Sequence, residues 1–382
     1  MTAFQDPAER RVLLHLGMHK TGSTSIQAVW NGYKDERIEY AALGLPNHSL
    51  VLQRAFLDGK AADRVYKNSD GAKRSRQHEA ARRRLDHALG GTKRSVILSA
   101  ESLFRFEGEA CRRTAEFLRS HVGRIDALLY IRAPESFARS VFQERLKKGE
   151  ASFDLRHIIP AYKARALNWA GALGAEPTYV MFDRATLHEG DVVMDFGMRA
   201  GLDLGWARSR AHLQNRNTSL SAEAMAALYV LRHRLGAPPP HEEERVRQRR
   251  LIEVLGGFGS RRYDFGRDLM QAALDERAED IAWIEGRLGR SFPSETVKDP
   301  VVFGSERDIV EYGEAQARAL REHLRAEGII GSKVDGSVVD LLQAVRGQVI
   351  GLKDMKREVG KRQRTWGQVI RIVVGQFSRA RG

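Results

Sequence analysis

The sequence predicts an α/β fold: a P-loop-like, doubly wound parallel sheet flanked by helices, with a helical C-terminal half. Three observations predict it. Short continuous apolar runs recur between residues 11 and 182, each followed by a helical pattern, which is how strands covered on both faces of a parallel sheet read. The first run, Arg11-Val12-Leu13-Leu14-His15-Leu16, breaks at Gly17 into a loop of small, polar and basic residues, then resumes as a helix. After about Asp183 the strand signal fades, and helical stretches follow one another.

Val12 to Leu16 reads as the first strand and Thr24 to Lys34 as its helix. Ala41 to Leu57 is mixed, with a turn at Gly44-Leu45-Pro46-Asn47 and His48 just after it. Lys60 to Arg94 is strongly basic and reads as a helix with a solvated charged face or as a docking surface for an anionic substrate. Ser95 to Ser99 is the second strand, running out into Ala100-Glu101-Ser102, with a helix over Glu109 to His121. Ile125 to Ile131 is the third strand and ends at Arg132. Pro134 opens a helix to about Lys148, since proline suits a first helical turn. A helix over His157 to Ala172 precedes the fourth strand, Pro177 to Phe182. Helices then follow over Val192 to Arg199, Ser221 to Leu235, Glu242 to Leu255, Arg277 to Leu288 and Glu306 to Glu327. Ser219 or Ser221 is the cap of the second of these, and Ala237-Pro238-Pro239-Pro240 is a breaker.

The expected division is an α/β domain over 1–330, with its helical extension from about 185, and a tail over 331–382 that begins in the linker Gly328 to Gly336. From Arg346 the tail carries ten basic residues against Asp354 and Glu358, more than half of the chain's net charge of +14. Trp366, Val369, Ile370, Val373 and Phe377 recur in it at helical spacing. Such a helix lies on an anionic membrane surface, packs back on the body or pairs with a partner subunit. The basic balance favours anionic partners without choosing among nucleotides, acidic saccharides, anionic lipid and nucleic acid. A single cysteine, Cys111, rules out an intrachain disulfide. No apolar run approaches the ~18 residues of a membrane span, and the first residues lack the apolar core of a signal peptide. The expectation is a cytoplasmic protein, peripheral at the inner membrane face where the tail lies on the membrane and not on the body or a partner subunit.

The chemistry gathers at the strand ends, where open α/β sheets bind ligands. Gly17 and Gly22 have the spacing of the P-loop pattern G-x-x-x-x-G-K-[ST], but Ser23 follows Gly22, and the lysine has moved inside the loop to Lys20. That weakens a triphosphate site and leaves an oxyanion site at a helix N-terminus. Glu101 ends the second strand, where a phosphotransferase would hold magnesium. Arg132 ends the third and suits a bidentate grip on phosphate without metal.

These residues resemble the sulfotransferase family that uses 3′-phosphoadenosine 5′-phosphosulfate. Lys20-Thr21-Gly22-Ser23-Thr24 matches the family's first motif, with His19 where proline often stands. Arg132, Pro134 and Ser140 reproduce the second, including its spacing. The likeness covers roughly residues 11–200, and the wording from His15 to Gln27 is most similar to bacterial members acting on glycans or glycolipids. The resemblance implies that Lys20, Thr21, Gly22, Ser23, Thr24 and Ser25 hold the 5′-phosphosulfate and that Arg132 and Ser140 bind the 3′-phosphate. It implies metal-independent transfer to a carbohydrate or glycolipid hydroxyl, with no nucleic acid partner. Glu101 is the first choice of general base, and His48 the second. His15 is expected to be packed and His19 to face the anion site; Arg139 and Lys147 are candidates for acceptor or nucleotide binding. Gly256 to Arg262 stands where a late nucleotide-covering loop would be sought. Two other classes stay open: an ATP-dependent small-molecule kinase using Glu101 for magnesium, and a basic non-enzymatic binder of membrane or nucleic acid.

Overall fold

The computed structural model describes residues 9–66, 69–214, 219–293 and 297–347; the basic amphipathic helix expected beyond Gly347 lies outside the described residues. The chain divides into two compact units, the first from 1–134, 160–216 and 277–293, the second from 135–159, 217–276 and 294–382.

The first unit is built on a five-stranded parallel sheet: β1 (Arg11–Leu16), β2 (Ile38–Tyr40), β3 (Ser95–Ala100), β4 (Arg124–Ile131) and β5 (Thr178–Met181), in the order β2-β3-β1-β4-β5. All six residues of β1 are buried, and Leu14 stands opposite Leu98 on one side and Ala127 on the other. This explains why β1 reads as an unbroken apolar run: it has a covered face on each side and a strand on each edge. Leu13, Ile97, Leu128 and Tyr130 form one core with Ile26, Val29 and Trp30 of the helix Ser23–Trp30 and with Val193 and Phe196 of the helix Val192–Ala200. The helices Gly108–Arg119 and Tyr162–Leu173 pack on each other, and the Trp169 indole N–H donates to the Leu103 carbonyl at 2.8 Å. From β1 the chain moves toward the β2 edge, and from β4 toward the β5 edge. A crevice therefore opens outside the carboxyl ends of β1 and β4.

Packing of Trp30 needs a glycine at 197. A Cβ there would stand 2.3 Å from Trp30 Cζ2 and 2.8 Å from Leu204 Cδ2. Gly197→Ala should therefore lower stability by about 2 kcal/mol through overpacking, seen as a lower denaturant midpoint at unchanged slope. An unmoved midpoint would mean that the ring has room to shift.

The basic stretch from Lys60 to Arg94 contains the helix Gly71–Gly90, which buries Ala81, Leu85 and Leu89. Lys73, Arg76, Arg83 and Arg84 are exposed on it, while Arg82 lies 4.3 Å over the Phe117 ring. A solvated charged face accounts for this helix.

In the second unit the helix Ala222–Leu235 is buried almost all round. Ser221 is its cap, accepting from the Ala224 N–H at 3.0 Å. Gly313 of the helix Glu306–Glu314 approaches it so closely that a Cβ would meet the Ala226 carbonyl oxygen at 2.6 Å. Phe142, on the helix Pro134–Lys148, stacks on Tyr229 and meets Phe265 edge-on. Two short parallel strands, β6 (Tyr263–Phe265) and β7 (Val301–Phe303), lie here, so strands do not end near Asp183. The helix expected from Glu306 to Glu327 is two, Glu306–Glu314 and Ala317–Ala326, turning at Ala315 and Gln316 where no proline marks a break. Among the described residues no helix is long and apolar enough to cross a membrane.

Candidate functional site

The site of the first unit begins where β1 meets the end of β3. The Gly17 N–H donates to the Ala100 carbonyl at 3.1 Å, and a Cβ on Gly17 would stand 2.7 Å from Glu101 Cα. Only glycine lets the loop lie this close to Glu101. The loop then folds on the buried Met18, whose carbonyl accepts from Thr21 Oγ1 at 2.7 Å and from Ser23 Oγ at 3.5 Å. Lys20 and Gly22 have φ of 68° and 75°, with Thr21 of ordinary hand between them. Alternating hand along successive residues turns backbone N–H groups to one concave side, an anion nest. Gly22 caps the helix Ser23–Trp30, and the amides of Ser25 and Ile26 return to its carbonyl. The positive end of that helix thus faces the nest. Thr24 is exposed and Ser25 half-buried at its first turn.

β4 delivers Arg132 to the same place. Its Nη1 donates to the Lys20 carbonyl at 2.8 Å, its guanidinium lies 5.7 Å from the Phe182 ring centre, and its own carbonyl accepts from the buried Tyr162 hydroxyl at 2.9 Å. The left-handed turn at Lys20 is what presents that carbonyl. Gly22, in turn, packs against Val192, with a Cβ there placed 2.6 Å from Val192 Cγ1.

β3 supplies Glu101, half-buried, with Oε1 3.4 Å from His19 Nδ1. The carboxylate's partner is His19, not Lys20 or Arg105. Both line a cleft of about 520 Å³, together with Asn47, Ser49, Gln53, Arg64 and Arg105.

His48 is not available as a base to anything in this cleft. It is fully buried, its Nδ1 accepts from the Ser99 N–H at 3.1 Å, and its own N–H donates to the Ser99 carbonyl. Burial pushes its pKa down to about 3, against the opposing pull of the Ala41 carbonyl. His15 is packed as expected, with Nδ1 sharing a 2.8 Å hydrogen bond with Ser99 Oγ; burial lowers its pKa to about 4, with the Glu101 charge acting the other way.

Ser140 lies on the helix Pro134–Lys148, in the part that belongs to the second unit, and is half-buried. Arg139 is committed there to Asp264 at 2.9 Å, and its carbonyl accepts from the Tyr263 hydroxyl. Gly256 to Arg262 is structural in the same unit: the Phe258 carbonyl takes the Ser221 hydroxyl and the Arg261 carbonyl takes the Ala222 N–H. The first unit therefore brings Lys20, the 21–25 loop, Arg132 and Glu101 to one end of the sheet.

Sequence reasoning missed the cleft, because Asn47, Ser49, Gln53, Arg64 and Arg105 come from segments with no shared motif. It also missed the His19–Glu101 pair; the proximity of His19 to the loop was the only signal. Comparison with protein-family models, with curated proteins and with solved structures found no match.

Proposed function

We propose that the protein is a sulfotransferase. It moves the sulfuryl group of 3′-phosphoadenosine 5′-phosphosulfate to a hydroxyl of a carbohydrate or glycolipid acceptor, on a P-loop-like fold. The observation that carries this reading is the bond from Arg132 to the Lys20 carbonyl. It ties a strand-end arginine to a nest at a helix N-terminus, and so offers grips for two separate anionic groups of one nucleotide.

In this reading the backbone N–H groups of Thr21 to Thr24 and the Lys20 ammonium hold the 5′ end of the donor, the Ser25 N–H being bonded to the Gly22 carbonyl. Thr21 contributes only its backbone, since its hydroxyl is bound to Met18. The long Ser23 contact is one its hydroxyl can leave for the donor, and exposed Thr24 is free to turn the same way. Arg132 takes the 3′-phosphate. The acceptor oxygen bonds to sulfur as the bond from sulfur to the phosphate oxygen breaks, and the acceptor proton passes to Glu101. Charge grows on the departing oxygen, beside Lys20. His19 positions Glu101. The products are a sulfate ester and adenosine 3′,5′-bisphosphate, and no step needs a metal.

Calorimetry tests the donor assignment. Adenosine 3′,5′-bisphosphate should bind at least about tenfold more tightly than AMP, in the presence of a chelator, and Arg132→Ala should remove that preference. Equal affinity for the two nucleotides would overturn the reading, and binding that requires magnesium would favour a kinase.

A further inference from the structure

The cleft that starts at Glu101 and His19 is balanced in charge, and part of that charge is satisfied within the protein. Asp58 and Glu109 hold Arg113 at 2.7 and 3.7 Å, and the Phe56 carbonyl accepts from its Nη2 at 2.7 Å. Arg64 and Arg105, both exposed, then stand against Glu101 and Glu107. An ion of either sign would meet both signs on this lining, which therefore favours a ligand without net charge. The rest of the lining is of two kinds. Leu57, Val65 and Phe106 are apolar, while Ser49, Gln53 and Ser102 carry neutral hydrogen-bonding groups. A saccharide matches both, since its ring carbons present C–H faces and each of its hydroxyls donates and accepts.

Ser102 makes the match specific. It follows Glu101 directly and lines the same cleft. Its backbone N–H donates to Ser49 Oγ at 3.0 Å, which fixes the chain there. Its own Oγ is buried and has no hydrogen-bond partner among the described residues. A buried hydroxyl without a partner is destabilising, and each such group in a folded protein needs a reason. No bond holds this side chain in one rotamer, so a turn about Cα–Cβ can carry the hydroxyl toward a ligand in the cleft.

We infer that the cleft takes a neutral saccharide, with one of its hydroxyls at Glu101 and another on Ser102 Oγ. The inference rests on the sulfotransferase reading for the role of the first hydroxyl, and narrows its acceptor to a sugar that carries no acidic group. Ser102 holds the ring while its neighbour takes the proton. The sugar supplies the partner that the Ser102 hydroxyl lacks within the protein.

The test titrates the full-length chain with three neutral trisaccharides, maltotriose, mannotriose and galactotriose, and with trigalacturonic acid as the acidic counterpart of the last. Each is measured with and without saturating adenosine 3′,5′-bisphosphate. The variants are Ser102→Ala, Gln53→Ala and, as a control outside the cleft, Ser75→Ala, exposed on the helix Gly71–Gly90. At least one neutral trisaccharide should bind about tenfold more tightly than trigalacturonic acid. Ser102→Ala should weaken that sugar about fivefold and Gln53→Ala about threefold, with the control within about twofold of wild type. Ser102→Ala should also keep or raise the denaturant midpoint, because it removes a buried group that has no partner in the protein. A serine with a merely structural role would lower it. Failure of all three neutral sugars to bind, trigalacturonic acid bound as tightly as they are, wild-type affinity in Ser102→Ala, or a lowered midpoint in that variant would each overturn the inference. Neutral sugar bound with these losses while the bisphosphate fails to bind would keep the cleft assignment and overturn the sulfotransferase reading instead.

Discussion

Glu101→Gln should lower turnover about a thousandfold while leaving affinity for adenosine 3′,5′-bisphosphate within about twofold. Glu101 follows the last residue of β3, and the close contact at Gly17 fixes its backbone beside the nest. Its side chain faces the cleft with His19 at 3.4 Å. Glutamine keeps the shape and can still accept from His19, so the backbone and the cleft should survive. What glutamine cannot do is take a proton from an attacking hydroxyl. Loss of a half-exposed polar contact costs at most about 1 kcal/mol, so unfolding does not account for a thousandfold effect. His19→Ala should have a smaller effect, about tenfold, because it removes the group that positions the base and not the base itself. The measurement is transfer of radiolabelled sulfate from the donor to a carbohydrate acceptor, alongside calorimetry with the bisphosphate. Full activity in Glu101→Gln would remove the base from the mechanism. Parallel loss of bisphosphate affinity would place Glu101 in donor binding instead.

How far the sequence reaches into this site follows from what each part depends on. β1, β3 and β4 are visible as apolar runs because each is buried over at least five consecutive residues, and β5 shows through its β-branched and aromatic residues. The helix from Pro134 to Lys148 is visible at both ends, through its proline and its terminal basic residues. β2, β6 and β7 are three residues each, too short for any periodicity, and exist only because a partner strand lies beside them. The spacing of Gly17 and Gly22 makes the loop legible. The left-handed turn at Lys20 and the bond it receives from Arg132, 112 residues away, are tertiary and leave no local mark. His48 is the instructive failure. A histidine after a turn suggests exposure, but Tyr40 and Ser99 enclose it from β2 and β3, making it a buried acceptor for the backbone. The cleft is equally silent in the sequence, since Asn47, Gln53, Arg64 and Arg105 come from separate segments that only the fold brings together.

The buried histidines carry the second large effect, on stability. Neutral His48 accepts from the Ser99 N–H at Nδ1, so a proton placed there would set two donors against each other. His15 shares Ser99 Oγ with the Gln27 amide, and its ring is wholly buried. Both pKa values lie well below the ordinary histidine value of 6.5, at about 3 and about 4. The folded state therefore holds these rings neutral where the unfolded chain protonates them. Stability from this source is complete above pH 6.5 and falls as the pH drops from there toward 4, since the unfolded state then binds more protons. Each histidine removes about 2 kcal/mol between pH 8 and pH 5, so the pair removes about 4 kcal/mol, before the carboxylates begin to titrate. Denaturant unfolding of the full chain at intervals across that range measures it. His48→Gln should cut the pH-dependent loss by about half, whatever it does to stability at pH 8, because a slope with pH reports titration and not the lost contact. An unchanged slope would mean that His48 protonates within the fold, with Ser99 free to move. Ser99 stands two residues before Glu101 on the same chain, so acid that opens this hub also releases the end of β3 that carries the proposed base.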